Sequence, residues 1–387
     1  MGLIQLNLFA VVLLFAFVQG AIYTVLLLVR AYRETRLSDY FLAGIITAAC
    51  LHNLSWMLGF MGIHILGQEW WFLPQDVGFI FGPLVYYYLK TQLNTNYTLS
   101  RRDGWHFIPY TLYVVQHVAV FLMGDAAVHW WATQMYGKLY TYIWLELLPS
   151  NVSVLVYLVL SALLYVRYRK WLPTERSDAD DLQFRWFRNF LIVMFVLAGT
   201  AVAFFTATIW VDLSYQEIWI QRALVAAGIY YISIAGYNQP QPRQLLFEMP
   251  PVPLATLEPP PEKAVLASEN IRDLDLWKNK IEMVMRQERL YLLPDLSLGQ
   301  LAAALETHST HLSNVINAAF GKNFNDYVNT FRVNTFQQKV HDPALQHLTL
   351  LAIAFECGFN SKSTFNRAVK RVTGLQPSDL IRQSEPA

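Results

Sequence analysis

Near the C-terminus, Lys362, Ser363, Asn366, Arg367 and Lys370 follow one another at steps of one and three, with Arg371 at the edge of the same set. On an α-helix, residues three and four apart share a face, so these side chains form one polar, basic stripe, and Ser361 stands just ahead of it. Lysine and arginine neutralise phosphates and read guanine, asparagine pairs with adenine, and serine serves either. The chemistry is recognition of a duplex rather than bond making. Between 362 and 382 five basic residues (Lys362, Arg367, Lys370, Arg371 and Arg382) face one acid, Asp379. Alone, such a stripe is equally what the solvated face of any surface helix shows.

What positions the stripe tips the balance. Phe365, Ala368, Val369 and Val372 supply an apolar face for the same helix, and Leu350, Ile353, Ala354 and Cys357 supply one for the helix before it. Gly358, free to take a positive φ, sits between them. This is the layout of a helix-turn-helix. A similar unit begins 52 residues earlier: Leu298, Leu301, Ala302 and Leu305 make a first stripe, and Leu312, Val315, Ile316 and Ala319 a second. The second leaves Thr310, His311, Ser313, Asn314 and Asn317 outward and stops at Gly321. Phe324, Tyr327, Val328, Phe331 and Val333 begin a connecting helix that runs to about His341, stopped by Asp342-Pro343. Leu274, Trp277, Ile281, Val284 and Met285 form an apolar face ahead of both units. Two reading heads on one connecting helix can enter major-groove segments about 34 Å apart.

Residues from about 275 to 382 resemble the DNA-binding domain of the AraC/XylS family. The second unit carries Ile353-Ala354, Gly358-Phe359, Ser361, Phe365, Lys370, Gly374 and Pro377. The first carries Leu298, Leu301-Ala302, Leu312-Ser313, Gly321-Lys322, Phe324, Tyr327 and Arg332. The resemblance implies two helix-turn-helix units joined by a long helix in a bacterial transcription regulator, with recognition helices at about Thr310–Ala319 and Lys362–Arg371. It further implies double-stranded promoter DNA and RNA polymerase as partners. The chain departs from the family pattern at Val369, Gln376 and Leu380-Ile381. Its first recognition helix has no lysine or arginine, which implies weaker phosphate anchoring there.

The rest of the chain is of another kind. Of 387 residues, 55% are hydrophobic and only 15% charged, against about 25% charged in soluble proteins. From 262 to 387 there are 14 Lys+Arg against 13 Asp+Glu, so the C-terminal part is not broadly basic. A bilayer-spanning helix needs about 20 mostly apolar residues. Seven stretches qualify: 4–29, 40–65, 72–89, 105–123, 145–166, 189–211 and 218–237. One set of alternate loops holds Arg30, Arg33, Arg36, Lys90, Arg101, Arg102, Arg167, Arg169, Lys170, Arg176, Arg185 and Arg188; the other holds only Lys138. Basic loops stay inside. The N-terminus is therefore expected outside and the C-terminal domain in the cytosol, on a bacterial cytoplasmic (inner) membrane. Trp70, Trp71, Trp130, Trp131, Trp144, Trp210 and Trp219 near the outer face, and Trp105, Trp171 and Trp186 near the inner one, read as an interfacial belt or an aromatic ligand cage.

Ionisable residues within spans are costly and often functional. Asp76, His117, Glu146, Asn151 and Arg222 fall in the outer half of the spans, with Gln116, His52 and Asn53 in reach. They offer either a ligand pocket open to the outside or polar contacts that hold helices together. Residues 238–262 contain eight prolines and read as a semi-rigid spacer. Cys50 and Cys357 are too differently placed to pair, and no zinc spacing, Walker A, H-E-x-x-H, G-x-S-x-G or G-x-G-x-x-G motif occurs.

The sequence thus predicts an all-α chain: a seven-transmembrane sensor bundle (1–237), a proline-rich linker (238–262) and a cytosolic double helix-turn-helix domain (263–387). The expected function is a membrane-embedded one-component transcription regulator, not an enzyme, with no cofactor and no metal. It would be embedded in the lipid bilayer and answer a small-molecule or envelope signal, in a homodimer. The alternative is a seven-helix receptor or transporter whose tail binds a protein.

Overall fold

The computed structural model describes residues 7–63, 76–135, 143–179, 185–211, 215–239, 271–345 and 347–382. Among them the chain is all-α, with no strand. It divides into two compact units: Met1–Val166 with Arg185–Glu248, and Arg167–Phe184 with Met249–Ala387.

The first unit contains α1 (Leu8–Glu34), α2 (Leu37–Phe60), α3 (Gly78–Leu93), α4 (Ile108–Leu122) and α5 (Asp125–Met135). It also holds the first part of α6 (Leu148–Glu175), then α7 (Arg185–Trp210) and α8 (Tyr215–Tyr237). Asn7 caps α1 by accepting the Ala10 N–H at 2.8 Å. α1 packs on α2 and α8, α2 also on α3 and α8, and α7 on α8. The apolar side chains do not all turn inward. Phe15, Ile22 and Val25 of α1, Leu155, Val159 and Leu163 of α6, and Ile192 and Val196 of α7 are exposed.

Among the described residues, five helices are long and apolar enough to cross a membrane: Leu8–Glu34, Leu37–Phe60, Leu145–Glu175, Arg185–Ala207 and Glu217–Tyr237. The third and fourth expected spans appear as shorter helices. α3 has 16 residues and α4 has 15, about 24 and 22 Å at 1.5 Å per residue, against a hydrocarbon core of about 30 Å. Pro109 opens α4 and Gly124, at φ 90°, follows its end. Residues 72–75, where the third span was expected to begin, lie outside the described residues, as do Trp70, Trp71, Lys138 and all of the expected linker beyond Gln239. Trp105, Trp130 and Trp210 are exposed. Trp186 is instead buried and donates to the Tyr88 hydroxyl at 2.9 Å.

In the second unit, α9 (Ile271–Gln287) precedes α10 (Leu298–Ala304) and α11 (Ser309–Phe320). α12 (Phe324–Lys339) connects these to α13 (Leu350–Glu356), α14 (Lys362–Thr373) and α15 (Pro377–Arg382). Two apolar cores form. One gathers Ile281, Met285, Leu298, Leu301, Leu312, Ile316, Phe324 and Val328; the other gathers Val333, Phe336, Ile353, Cys357, Phe365 and Val369. α12 therefore lends its first half to one core and its second half to the other.

Candidate nucleic-acid interface

Local sequence sets each helix pair. Ser297 starts α10 with a capping box: its hydroxyl accepts the Gln300 N–H at 3.2 Å, and the Gln300 side chain accepts the Ser297 N–H at 2.8 Å. Gly321, at φ 63°, ends α11. Thr349 caps α13, accepting the Ala352 N–H at 3.2 Å. Ser361 caps α14 in the same way, accepting the Thr364 N–H at 3.2 Å, and Gly374 at φ 78° ends it. Both expected recognition helices are present with their apolar faces buried: Leu312, Val315 and Ile316 on α11, and Phe365, Ala368 and Val369 on α14.

The outward residues divide by what they touch. On α14, Lys362, Ser363 and Lys370 are exposed and Asn366 and Arg367 half-buried. Arg371 is exposed and ion-paired with Asp326 of α12. Ser361 spends its hydroxyl on the cap. On α11, Thr310, Asn314 and Asn317 are exposed and Ser313 half-buried. His311 is exposed yet packs edge-on against Trp277 of α9, ring centroids 5.0 Å apart. The cationic charge is thus concentrated on α14, while α11 offers amides and hydroxyls.

The turn of the second unit is tightly built. Gly358 adopts φ 90°, and a Cβ there would stand 2.5 Å from the Tyr291 carbonyl oxygen. Asn360 donates to the Pro294 carbonyl at 3.2 Å. Between the two cores lies Arg332, 1% exposed. Its Nε donates to the Tyr291 carbonyl at 2.8 Å and its Nη2 to the Leu293 carbonyl at 2.7 Å.

Residues 301–383 match the family of the helix-turn-helix domain. This region is an AraC-type helix-turn-helix domain. No curated protein matches the chain. A solved structure, of a protein of unknown function from Listeria innocua, is similar at 23% identity, covering 28% of this chain and 96% of its own, with a TM-score of 0.24.

The helix-turn-helix domain has partners that sequence reasoning missed. Ser177 is fully buried; its N–H donates to the Leu296 carbonyl at 3.0 Å, and Arg176 forms an antiparallel bridge with Ser297. Arg332 reaches the same serine: Nη1 donates to its carbonyl at 3.2 Å and Nη2 to its hydroxyl at 3.0 Å. A buried arginine on a connecting helix was the available signal, but nothing local to it points to a partner 155 residues away.

In the first unit, the expected polar residues form two groups. The His117 ring stands 3.9 Å from the Glu146 carboxylate and 4.2 Å, centroid to centroid, from Tyr113. The Tyr113 hydroxyl accepts the Asp76 N–H at 3.3 Å, so Asp76, His117 and Glu146 share a neighbourhood. Asn151 turns its amide to the Leu147 carbonyl at 2.8 Å. Arg222 belongs to the other group. It bonds His52 and lies 4.6 Å above the Trp56 ring, while its carbonyl accepts from Asn53 at 3.2 Å. Among the described residues no three His, Cys, Asp or Glu are placed to hold a metal ion.

Proposed function

We propose that the chain is a bacterial, membrane-embedded transcription regulator that binds promoter DNA through both helix-turn-helix units. The carrying observation is the exposed row Lys362, Ser363 and Lys370 on α14, in a region matched to the helix-turn-helix family. Membrane embedding draws its support from the five long apolar helices and their outward apolar side chains, a surface that soluble monomers rarely expose. Five spans, like seven, are an odd number, so either count leaves the two termini on opposite sides. The basic segment with Arg167, Arg169, Lys170 and Arg176 belongs to the same compact unit as the helix-turn-helix domain. That favours a cytosolic C-terminal domain, since basic segments stay inside.

On this reading the domain boundaries are 1–237 for the sensor, 238–262 for the linker and 263–387 for DNA binding. Asp76, His117 and Glu146, with Asn151 nearby, are the residues that would meet a signal, and Arg222 with His52 and Trp56 would brace α8 against α2. A homodimer suits a regulator that reads paired half-sites. The test uses the full chain in nanodiscs. A duplex is selected from a random-sequence pool, and binding is then measured for wild type and for the triple variant Lys362→Ala, Arg367→Ala, Lys370→Ala. Sequence-selective binding that the triple variant loses is the expected result. A wild type that shows no sequence-selective binding would leave the tail a protein-binding module instead.

A further inference from the structure

We propose that Arg176–Ala179 is a docking peptide that clamps the seam between the two helix-turn-helix units, and that its release is the step by which the membrane part alters DNA reading. The proposal rests on the regulator reading above and specifies how that regulator is switched.

A connection that only joined two membrane helices would run through water, with its backbone groups hydrated. Here Ser177, Asp178 and Ala179 are all buried. Arg176 is tied to Asp178 by two bonds, 2.9 and 3.0 Å, which folds the segment on itself and neutralises its charges. The folded segment then pairs with Leu296 and Ser297 and fills two donors of Arg332.

The place it occupies is mechanically central. Arg332 lies between Val328 of the first core and Val333 of the second. Its remaining donors hold the carbonyls of Tyr291 and Leu293. That same stretch abuts Gly358 and accepts from Asn360, both in the turn of the second unit. Loop, seam and reading-head turn are therefore one hydrogen-bonded assembly. Withdrawing the loop would strip Arg332 of two buried acceptors, a costly loss for a buried charge. It would free the second unit to change its angle to the first. Arg176 directly follows α6, one of the five long apolar helices, so a movement of α6 along or about its axis pulls on the clamp.

The docked loop holds the two heads at one spacing. Ser177→Pro removes the N–H that bonds Leu296 and the hydroxyl that Arg332 reaches. In the full chain in nanodiscs it should weaken binding to a selected duplex with two half-sites about tenfold, within the usual range of allosteric coupling. Binding to a duplex with a single half-site should stay within about twofold of wild type, the additivity expected when the reading faces are untouched. Ser177→Ala, which removes only the hydroxyl contact, should fall between the two.

A second arm reads docking of the loop directly. The pair Arg176→Cys with Ser297→Cys, neighbours across the antiparallel bridge, should form an intramolecular disulfide in membranes under mild oxidation. The oxidised chain should keep tight binding at one half-site spacing, and reduction should broaden the spacings it accepts. Absence of the crosslink overturns the proposal. So does a crosslink that leaves affinity and spacing preference the same in both redox forms. If the crosslink forms and no form binds DNA, the regulator reading fails and the switch fails with it, while docking of the loop stands.

Discussion

A Cβ on Gly358 would lie 2.5 Å from the carbonyl oxygen of Tyr291 and 3.0 Å from Leu292 Cα. Both obstacles are backbone and neither can swing aside. The glycine also sits at φ 90°, where an L side chain is strained. Gly358→Ala should therefore cost about 2–4 kcal/mol, the range of strain plus overpacking. Gly321, at φ 63°, has nothing within 4 Å of its Cβ position, so Gly321→Ala should cost only about 1 kcal/mol, from conformation alone. Denaturant unfolding of the full chain, followed by hydrogen exchange in α13 and α14, separates them. Equal losses would refute the close approach.

Cys357 is fully buried, and burial pushes its thiol from 9.0 up to about 11, Lys339 opposing and Glu356 adding slightly. Only the thiolate is nucleophilic. At pH 8 the native chain should leave Cys357 unmodified by iodoacetamide, and guanidinium should expose it within minutes. The stability consequence has a fixed sign. Between pH 9 and about 11 the unfolded chain releases this proton while the folded one keeps it. The thiol's contribution is complete below pH 9 and is lost as pH rises to about 11. Relative to wild type, Cys357→Ala should therefore lose less stability across that window. Mass spectrometry of the labelled site and unfolding curves across the window check both statements.

The helices of the second unit were legible because their signals are local. The expected recognition helices, 310–319 and 362–371, are observed as Ser309–Phe320 and Lys362–Thr373. Amphipathic spacing and capping residues decide such elements within a few turns of chain. The Ser177–Arg332 contact was not legible, since periodicity carries no information across 155 residues. Trp186 misled in a similar way. A tryptophan near a span end suits an interface, and only tertiary packing reveals its bond to Tyr88. α3 is shorter than the expected span because hydropathy measures apolar length and not helix length, and a 3₁₀ segment, Asp103–Phe107, runs directly into α4.

Arg371 is held by Asp326 on the connecting helix, and its side chain remains 56% exposed. An ion pair so open to water is a weak tether of about 0–1 kcal/mol. Asp326→Asn should release Arg371 towards the duplex and remove a nearby negative charge. Affinity should rise about two- to fivefold at low salt, and the gain should vanish at high salt, where surface charges are screened. Titrations at two salt concentrations decide it. Weaker binding at low salt would show that Asp326 positions Arg371 for DNA rather than withholding it.

If both units bind DNA as proposed, α11 and α14 should leave different thermodynamic fingerprints. α14 carries Lys362, Arg367 and Lys370, whereas the outward residues of α11 are Thr310, His311, Ser313, Asn314 and Asn317. Each phosphate neutralised by a lysine adds about one to the slope of log affinity against log salt. Lys362→Ala and Lys370→Ala should each lower that slope by about one and weaken all duplexes alike. Asn314→Ala should leave the slope unchanged but relax preference at one or two base pairs, at about 1–3 kcal/mol per lost base contact. Binding of the full chain to a selected duplex and its single-base variants, across a salt series, reads both quantities at once. A slope change from Asn314→Ala, or a sequence-dependent loss from Lys370→Ala, would reverse the division of labour between anchoring on α14 and reading on α11.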